Sequence, residues 1–561
     1  MQSANDQPTG SRQTTFTWVS LALLTALGFV LRLLGHEQSL NGDEYYAQTI
    51  ITASHGVVSL LRHVNDSVEA TPPMYFLLGW IARKLDPSLT AIRIPSLIAG
   101  TALIPTVFLL GRRMTGWRTG LLAAALVAIS PFGIWYSNEA RAYSVLALLC
   151  ALVMLQTLRL VERPTWLNTG LLVAASTAVV YTHNTGALVL VATLGWAFVT
   201  HRSLRARVTV VALTTGLLYL PFILTFAPRD VWWMFGHLYG QGAITVWTSL
   251  ERMSLGSAYI PLRTVPGPVG LLLVASCVGV GIFTQHKRFP NARSPIALAI
   301  TVIVTTATGL FLYAFATNVN IFATRSTNTM FAAAMVLLAA VIVKTVPAKL
   351  AAVLAAVTLA VFGWSTATAL QSKWLRPDVK GAAAAAAALR PQPKILMPNG
   401  YRYRNYLPSG IADATAAKEL SPSEWGSIAP SVQALAWINV LLPTGETRGA
   451  IAARAPAASR AGFTVSCARL YPGYPPVLLQ IAARSKTRWE LAPNCSTTAE
   501  DTALALAPIA RRNVRVLPIG GSPSPTPSDV LVLVALIAAF AGLLLWLIRG
   551  GRAGLTVSTD T

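Results

Sequence analysis

FTWVSLALLTALGFVLRLLGHEQSLNGDEYYAQTI, residues 16–50, opens with an apolar segment, Phe16 to Leu34, and continues into the adjacent acids Asp43 and Glu44. The apolar part is long enough to cross a hydrocarbon core of roughly 30 Å. Two acids just beyond a membrane helix lie at the lipid–water boundary, where a lipid phosphate would sit. They are either solvated loop residues or catalytic groups facing a lipid-borne substrate, and the rest of the chain decides between these.

The chain has 561 residues, 54% apolar and only 12% charged, against about a quarter charged in an ordinary soluble protein. Apolar runs of spanning length recur along most of it, so the sequence reads as an α-helical polytopic membrane protein. The net charge of +23 does not signal nucleic-acid binding. The basic residues are dispersed through short loops between apolar runs, as the positive-inside rule expects. The remaining excess falls in one late hydrophilic block suited to anionic membrane lipids. Cys150 and Cys277 lie inside apolar runs and read as packing residues. Cys467 and Cys495 share the hydrophilic block and are expected to pair if it faces an oxidising compartment.

Taken in order, residues 1–15 are a cytoplasmic leader before an uncleaved anchor. Residues 16–369 form the transmembrane core, with a first outer loop at 35–91 that holds two amphipathic pieces. One runs from Tyr45 to Leu61. The other starts at Pro72-Pro73 and ends in Arg83 and Lys84, with proline in the first turn and basic residues in the last. Both read as interfacial helices. Further spans are expected at 92–111, 119–137, 142–160, 167–183, 185–200, 208–226, 267–285, 295–318, 326–344 and 349–367. A second outer loop, 227–266, carries the interfacial pair Trp232-Trp233. Residues 370–518 are too long and hydrophilic for a loop and read as a small extracytoplasmic α/β domain. Its strand-like runs are Lys394 to Met397, Ala436 to Leu442 and Pro476 to Ile481, and its Ala-rich helix covers 381–389. Residues 519–528 are a Pro/Ser linker, and 529–561 supply a final span and cytoplasmic tail. The tally is about twelve spans with both termini inside, basic loops alternating with acidic outer ones.

With that orientation the unusual residues collect on the outer side: Asp43, Glu44, Arg93, Glu139, Arg141, His183 and Arg325. Taken singly, each residue outside the Asp-Glu pair is equally a solvated loop residue or a structural ion pair, such as Glu139 with Arg141. His183, between Thr182 and Asn184, is equally a hydrogen-bonded helix end. Taken jointly, they match the needs of sugar transfer from a polyprenyl phosphate. A carboxylate deprotonates the acceptor hydroxyl as it attacks the anomeric carbon. The departing phosphate is best held by arginine's rigid donor fork. One base suffices for single displacement, so the paired carboxylates of retaining glycosidases are not required.

Asp43-Glu44, then PPMYFLL (72–78), SPFGIWYSNEARAYS (130–144) and YTH (181–183) occur in that order. In this the chain resembles the GT-C glycosyltransferases, specifically the glycosyltransferase family 39 and RgtA-like branch related to protein O-mannosyltransferases and aminoarabinose transferases. The likeness covers residues 16–200, with Thr324-Arg325 and LRPDVKGAAAAAA (375–387) adding to it. It implies a GT-C-like bundle with interfacial helices in the first outer loop and inverting transfer on the outer face of the plasma (inner) membrane. Asp43 would be the base, Glu44 would orient acceptor or base, and Arg93, Glu139, Arg141, His183 and Arg325 would bind substrate. The donor would be a polyprenyl-phosphate-linked sugar and the acceptor an envelope glycan, lipid or protein. No cofactor is required. Some relatives use a divalent cation, but no ligand set here demands one.

The rival class is a twelve-span transporter or lipid flippase. Against it stand the lack of an internal repeat and the scarcity of mid-span charge. An envelope polymer ligase or polymerase shares the lipid-linked substrate and differs in donor size.

Overall fold

The computed structural model describes residues 9–40, 42–67, 71–225, 236–255, 267–284, 290–396, 406, 428, 431–441, 456–473, 476–491 and 524–553. The chain divides into two compact units. The first comprises Met1–His36, Tyr46–Ala369 and Gly521–Thr561; the second comprises Glu37–Tyr45 and Leu370–Gly520.

The first unit is helical. Among the described residues eight helices are long and apolar enough to cross a membrane, or nine if a bent pair counts as one span. It is the body of a multi-pass membrane protein. Its long helices are α1 (Thr9–Leu33), then, after three short helices defined below, α5 (Ile94–Thr115), the pair α6 (Trp117–Ala128) and α7 (Pro131–Ser137), and α8 (Tyr143–Glu162). They continue with α9 (Trp166–Thr182), α10 (Gly186–Thr200) and α11 (Arg205–Thr225). After α12 (Gly242–Leu255) come α13 (Gly267–Thr284), α14 (Pro295–Thr317), α15 (Asn328–Val343), α16 (Ala348–Ala369) and, late in the chain, α18 (Pro527–Ala553).

Burial ranks these helices. The span of α8 is 72% buried and that of α18 only 11%, so α8 lies at the centre and α18 turns most of its surface outward. Backbones approach closely where side chains are small, as is usual for helices packed in lipid. A Cβ on Gly120 of α6 would come within 2.7 Å of the Phe108 carbonyl oxygen on α5.

The span expected at 119–137 is broken. Its halves α6 and α7 meet at 59°. Pro131 lacks an amide donor and holds Ser130 out of the helical region, at ψ 122°, and the Ser130 hydroxyl then caps α7 by accepting from Gly133 N (3.2 Å). The expected interfacial helix from Tyr45 to Leu61 is likewise two, α2 (Glu44–Thr52) and α3 (Val57–Asp66), with extended backbone at Gly56 between them. The Ser54 hydroxyl, 2.6 Å from Ile50 O and 2.9 Å from His63 Nδ1, competes with continuation of the helix. The piece after Pro72-Pro73 is α4 (Met74–Leu85), followed by a 3₁₀ turn at Leu89–Arg93. The second expected outer loop contains α12, too short and too charged at Glu251 and Arg252 to read as a span; Trp232 and Trp233 lie outside the described residues.

The second unit has a four-stranded sheet of order β1-β2-β4-β3, made of β1 (Lys394–Leu396), β2 (Ala434–Val440), β3 (Phe463–Tyr471) and β4 (Val477–Arg484). β1 pairs parallel to β2, and the other pairings are antiparallel. The helix α17 (Val379–Ala388) packs Ala382, Ala383 and Ala386 against Ile395, Ile438 and Ile481. On the other face Leu435, Trp437, Phe463 and Ala482 form a second core. β3 was not expected, because its alternation is interrupted by a bulge between Val465 and Cys467 and by Arg469.

Candidate active site

The turn after α7 carries Asn138, Glu139 and Arg141, and a buried guanidinium builds it. Arg32, at the end of α1, is fully buried. Its Nη1 donates to Gly28 O (2.8 Å) and Ala128 O (3.2 Å), its Nη2 to Val127 O (3.1 Å), and its Nε to Ser137 Oγ (3.0 Å). The carbonyls that α6 leaves unpaired at its C-terminus are thus satisfied by a cation, the sign a helix C-terminus prefers. Ser137 in turn donates to Gly133 O (2.6 Å). There is no room for a longer side chain nearby: a Cβ on Gly100 would lie 1.9 Å from Ser137 Oγ. In sequence Arg32 signals only the end of an apolar run.

Arg141 is 5% exposed, and its Nη2 donates to Thr71 Oγ1 (3.3 Å). Ser96 Oγ lies 3.1 Å from Arg141 O and 3.0 Å from the Tyr75 hydroxyl, whose proton goes to Ile92 O (2.8 Å). This links the Arg141 turn to the neighbourhood of Arg93, which is fully buried and donates from Nη1 to His36 O (2.7 Å). Glu139 is half-buried, and its carbonyl accepts from Arg141 N (2.7 Å). His183 closes the same region. Its ring lies 5.9 Å from that of Tyr143, which stands 5.2 Å from Tyr136. Thr185 Oγ1 lies 2.8 Å from His183 Nδ1. Four of the expected residues, Arg93, Glu139, Arg141 and His183, therefore come together at one end of α5, α7, α8 and α9.

Arg325 is half-buried in a 3₁₀ turn, Thr324–Thr327, at the start of α15. The ring of Phe331 on α15 packs tilted against that of Phe132 on α7, with centroids 5.0 Å apart, which ties this turn's helix to the Arg141 region. The turn is braced by α12: Ser249 Oγ donates to Phe322 O (3.2 Å) and Arg252 Nη1 to Thr324 Oγ1 (3.4 Å). Asp529 of α18 holds the start of α12 by accepting from Gly240 N and Gly242 N, both at 2.8 Å.

Asp43 and Glu44 lie in the second unit. Asp43 is half-buried, next to Gly42, whose φ of +51° is a left-handed turn position. Glu44 is completely buried and forms an ion pair with the equally buried Arg376. In sequence Arg376 is one residue of the LRPDVKGAAAAAA stretch with nothing to mark its role, because its partner lies 332 positions away.

Among the described residues no group of three or more His, Cys, Asp or Glu side chains is placed to hold a metal ion. Cys150 and Cys277 are free and buried. Cys467 is buried on β3 and disulfide-bonded; Cys495, its expected partner, lies outside the described residues.

The apolar helical bundle thus carries arginines buried at its helix ends. Residues 70–227 match the family described as dolichyl-phosphate-mannose-protein mannosyltransferase, a GT-C glycosyltransferase family. That stretch holds Thr71, Arg93, Glu139, Arg141 and His183. Comparison with curated protein sequences gives no match. Among solved structures, the chain is similar to the Archaeoglobus fulgidus oligosaccharyltransferase tethered to an acceptor peptide, at 14% identity and TM-score 0.49, covering 81% of this chain and 73% of that one. It is also similar to ArnT from Cupriavidus metallidurans bound to undecaprenyl phosphate, at 12% identity and TM-score 0.39, covering 83% and 98%.

Proposed function

We propose that this protein transfers a sugar from a polyprenyl-phosphate donor to an envelope glycan, lipid or protein on the outer face of the plasma (inner) membrane. The observation that carries this reading is the gathering of Arg93, Glu139, Arg141 and His183 at one end of neighbouring helices, linked through Ser96, Tyr75 and Tyr143, inside the stretch matched by a family named for dolichyl-phosphate-mannose. Asp43 acts as general base. Its carboxylate takes the acceptor hydroxyl proton while the oxygen attacks the anomeric carbon. The bond from that carbon to the phosphate oxygen breaks, the electron pair leaves with the lipid phosphate, and the anomeric configuration inverts. Arg141 and Arg325 balance the charge on the phosphate, as fixed donors do where charge develops. Arg93, committed to His36 O, holds its helix end, and His183 and Glu139 contact the sugar.

The same reading takes three shorter apolar helices, Trp166–Thr182, Gly186–Thr200 and Val269–Thr284, as spans beside the longer ones. That gives twelve spans, places both termini in the cytoplasm and sets the hydrophilic unit outside.

Asp43→Asn keeps the shape and removes the proton acceptor. It should lower transfer of labelled sugar from a synthetic polyprenyl-phosphate donor by about 10²–10⁴-fold, with donor binding retained. Transfer at the unmodified rate would remove the base and return the chain to the transporter class.

A further inference from the structure

The segment Glu37–Tyr45, next in sequence to α1, belongs to the second unit, and that unit grips it on both sides of Asp43. Ahead of Asp43, Gln38 Oε1 accepts from Arg376 N (3.1 Å), and Ser39 Oγ accepts from Lys380 N (3.0 Å). Glu37 lies 3.7 Å from Lys380 Nζ, and Leu40 N donates to the Tyr406 hydroxyl. Behind Asp43, the Glu44 carboxylate meets the Arg376 guanidinium with both side chains buried. The residues that do the gripping are themselves fixed. Asp378 caps α17 by accepting from Gly381 N (2.8 Å), and its own N–H goes to Pro472 O (3.2 Å) at the end of β3. A side chain on Gly473 would strike Arg376 O at 2.7 Å, so the backbone of Arg376 is seated directly on the loop that leads from β3 to β4.

We propose that the hydrophilic unit is a positioning device for Asp43, with Arg376 as the positioning residue that acts through Glu44. The proposal rests on the reading of Asp43 as base and divides the labour of the acid pair. Glu44 has no exposed surface and a cation as partner, so it cannot meet a substrate; Asp43, between the two gripped points, keeps part of its surface open. A base must be held to a fraction of an ångström, and a loop tied only at its ends would not hold it. Removing one member of a buried pair leaves the other charge uncompensated, so the loop should loosen when either partner is lost.

The test uses the full-length protein in lipid nanodiscs. Hydrogen exchange of the amides of residues 38–45 is measured together with sugar transfer and binding of a synthetic polyprenyl-phosphate donor. Arg376→Met should raise exchange in 38–45 without changing it in α5 or α8, and should lower kcat by about tenfold or more, the scale of a small misplacement. Donor binding should change by less than about twofold, because the loss lies in placement of the base. Arg376→Lys should recover part of the kcat. Glu44→Gln, which conserves volume, should loosen the same amides, and adding it to Arg376→Met should bring no further loss. If Arg376→Met does not fold, Glu44→Gln alone decides by the same readouts. Unchanged exchange in 38–45, an equal fall in donor binding, or additive losses would each overturn the proposal. An Asp43→Asn enzyme at full rate would instead overturn the base assignment, while the exchange data still report on the grip.

Discussion

Arginine's planar fork recurs at several positions here, and its use differs at each. Arg32 and Arg93 spend donors on backbone carbonyls, Arg376 meets a carboxylate, and Arg141 reaches the Thr71 hydroxyl. Lysine keeps the charge and loses the fork. Arg141→Lys and Arg325→Lys are each expected to lower kcat/KM for transfer by roughly tenfold, a fraction of the 10²–10³ lost when an electrostatic donor is removed outright. Near-normal rates in both would make these arginines structural. The residue types at this site were legible in sequence, since charge is scarce in apolar helices. The partner of Glu44 was not, because an ion pair across the chain leaves no mark on local periodicity.

At the scale of elements, the bend between α6 and α7 places Glu139 and Arg141, and Arg32 supports it. Arg32→Met leaves the carbonyls of Val127 and Ala128 without this donor, at a cost of about 1–3 kcal/mol for each buried unsatisfied group. Thermal unfolding in detergent should show a lower midpoint, with Arg32→Lys in between; an unchanged midpoint for Arg32→Met would deny the guanidinium this role. A second element, α12, braces the turn that carries Arg325, and burial raises its Glu251 carboxyl above the ordinary carboxylate range, against the opposing pull of Arg252 and Trp247. A raised acid pKa means that the folded state binds the proton more tightly than the unfolded chain. Its contribution is complete below the unfolded value and is lost as pH rises through the folded one. The apparent Tm should therefore fall on going from the ordinary carboxylate range towards neutrality. Glu251→Gln should flatten that profile and raise the midpoint at neutral pH. Identical profiles for the two proteins would refute the assignment. Neither element is legible in sequence: Pro131 sits within a continuous apolar run, and α12, too short and too charged to span, has no marked signal inside its outer loop.

For the whole molecule, the alternation of basic and acidic loops sets the expected orientation. A reporter active only outside should work when fused after residue 518 and fail after residue 115 or 205; the reverse pattern would sink the outward-facing reading. An outer location also suits a Cys467–Cys495 disulfide, which in the chain-entropy model contributes roughly 3–4 kcal/mol for a loop of this length. Mass mapping of protein purified without reductant should find the two joined. What the sequence by itself determined is the membrane class, the position of most helices and the set of candidate residues. Those depend on run length, helical periodicity and charge bias, all of which are local. Only the tertiary structure decided that the span at 119–137 bends over Arg32, whose partner Ser137 is 105 residues away. It likewise decided that the Asp43 segment belongs with the hydrophilic unit, through a pair separated by 332 residues. Such contacts are chosen by packing and by the need to satisfy buried charge, and no local pattern encodes them.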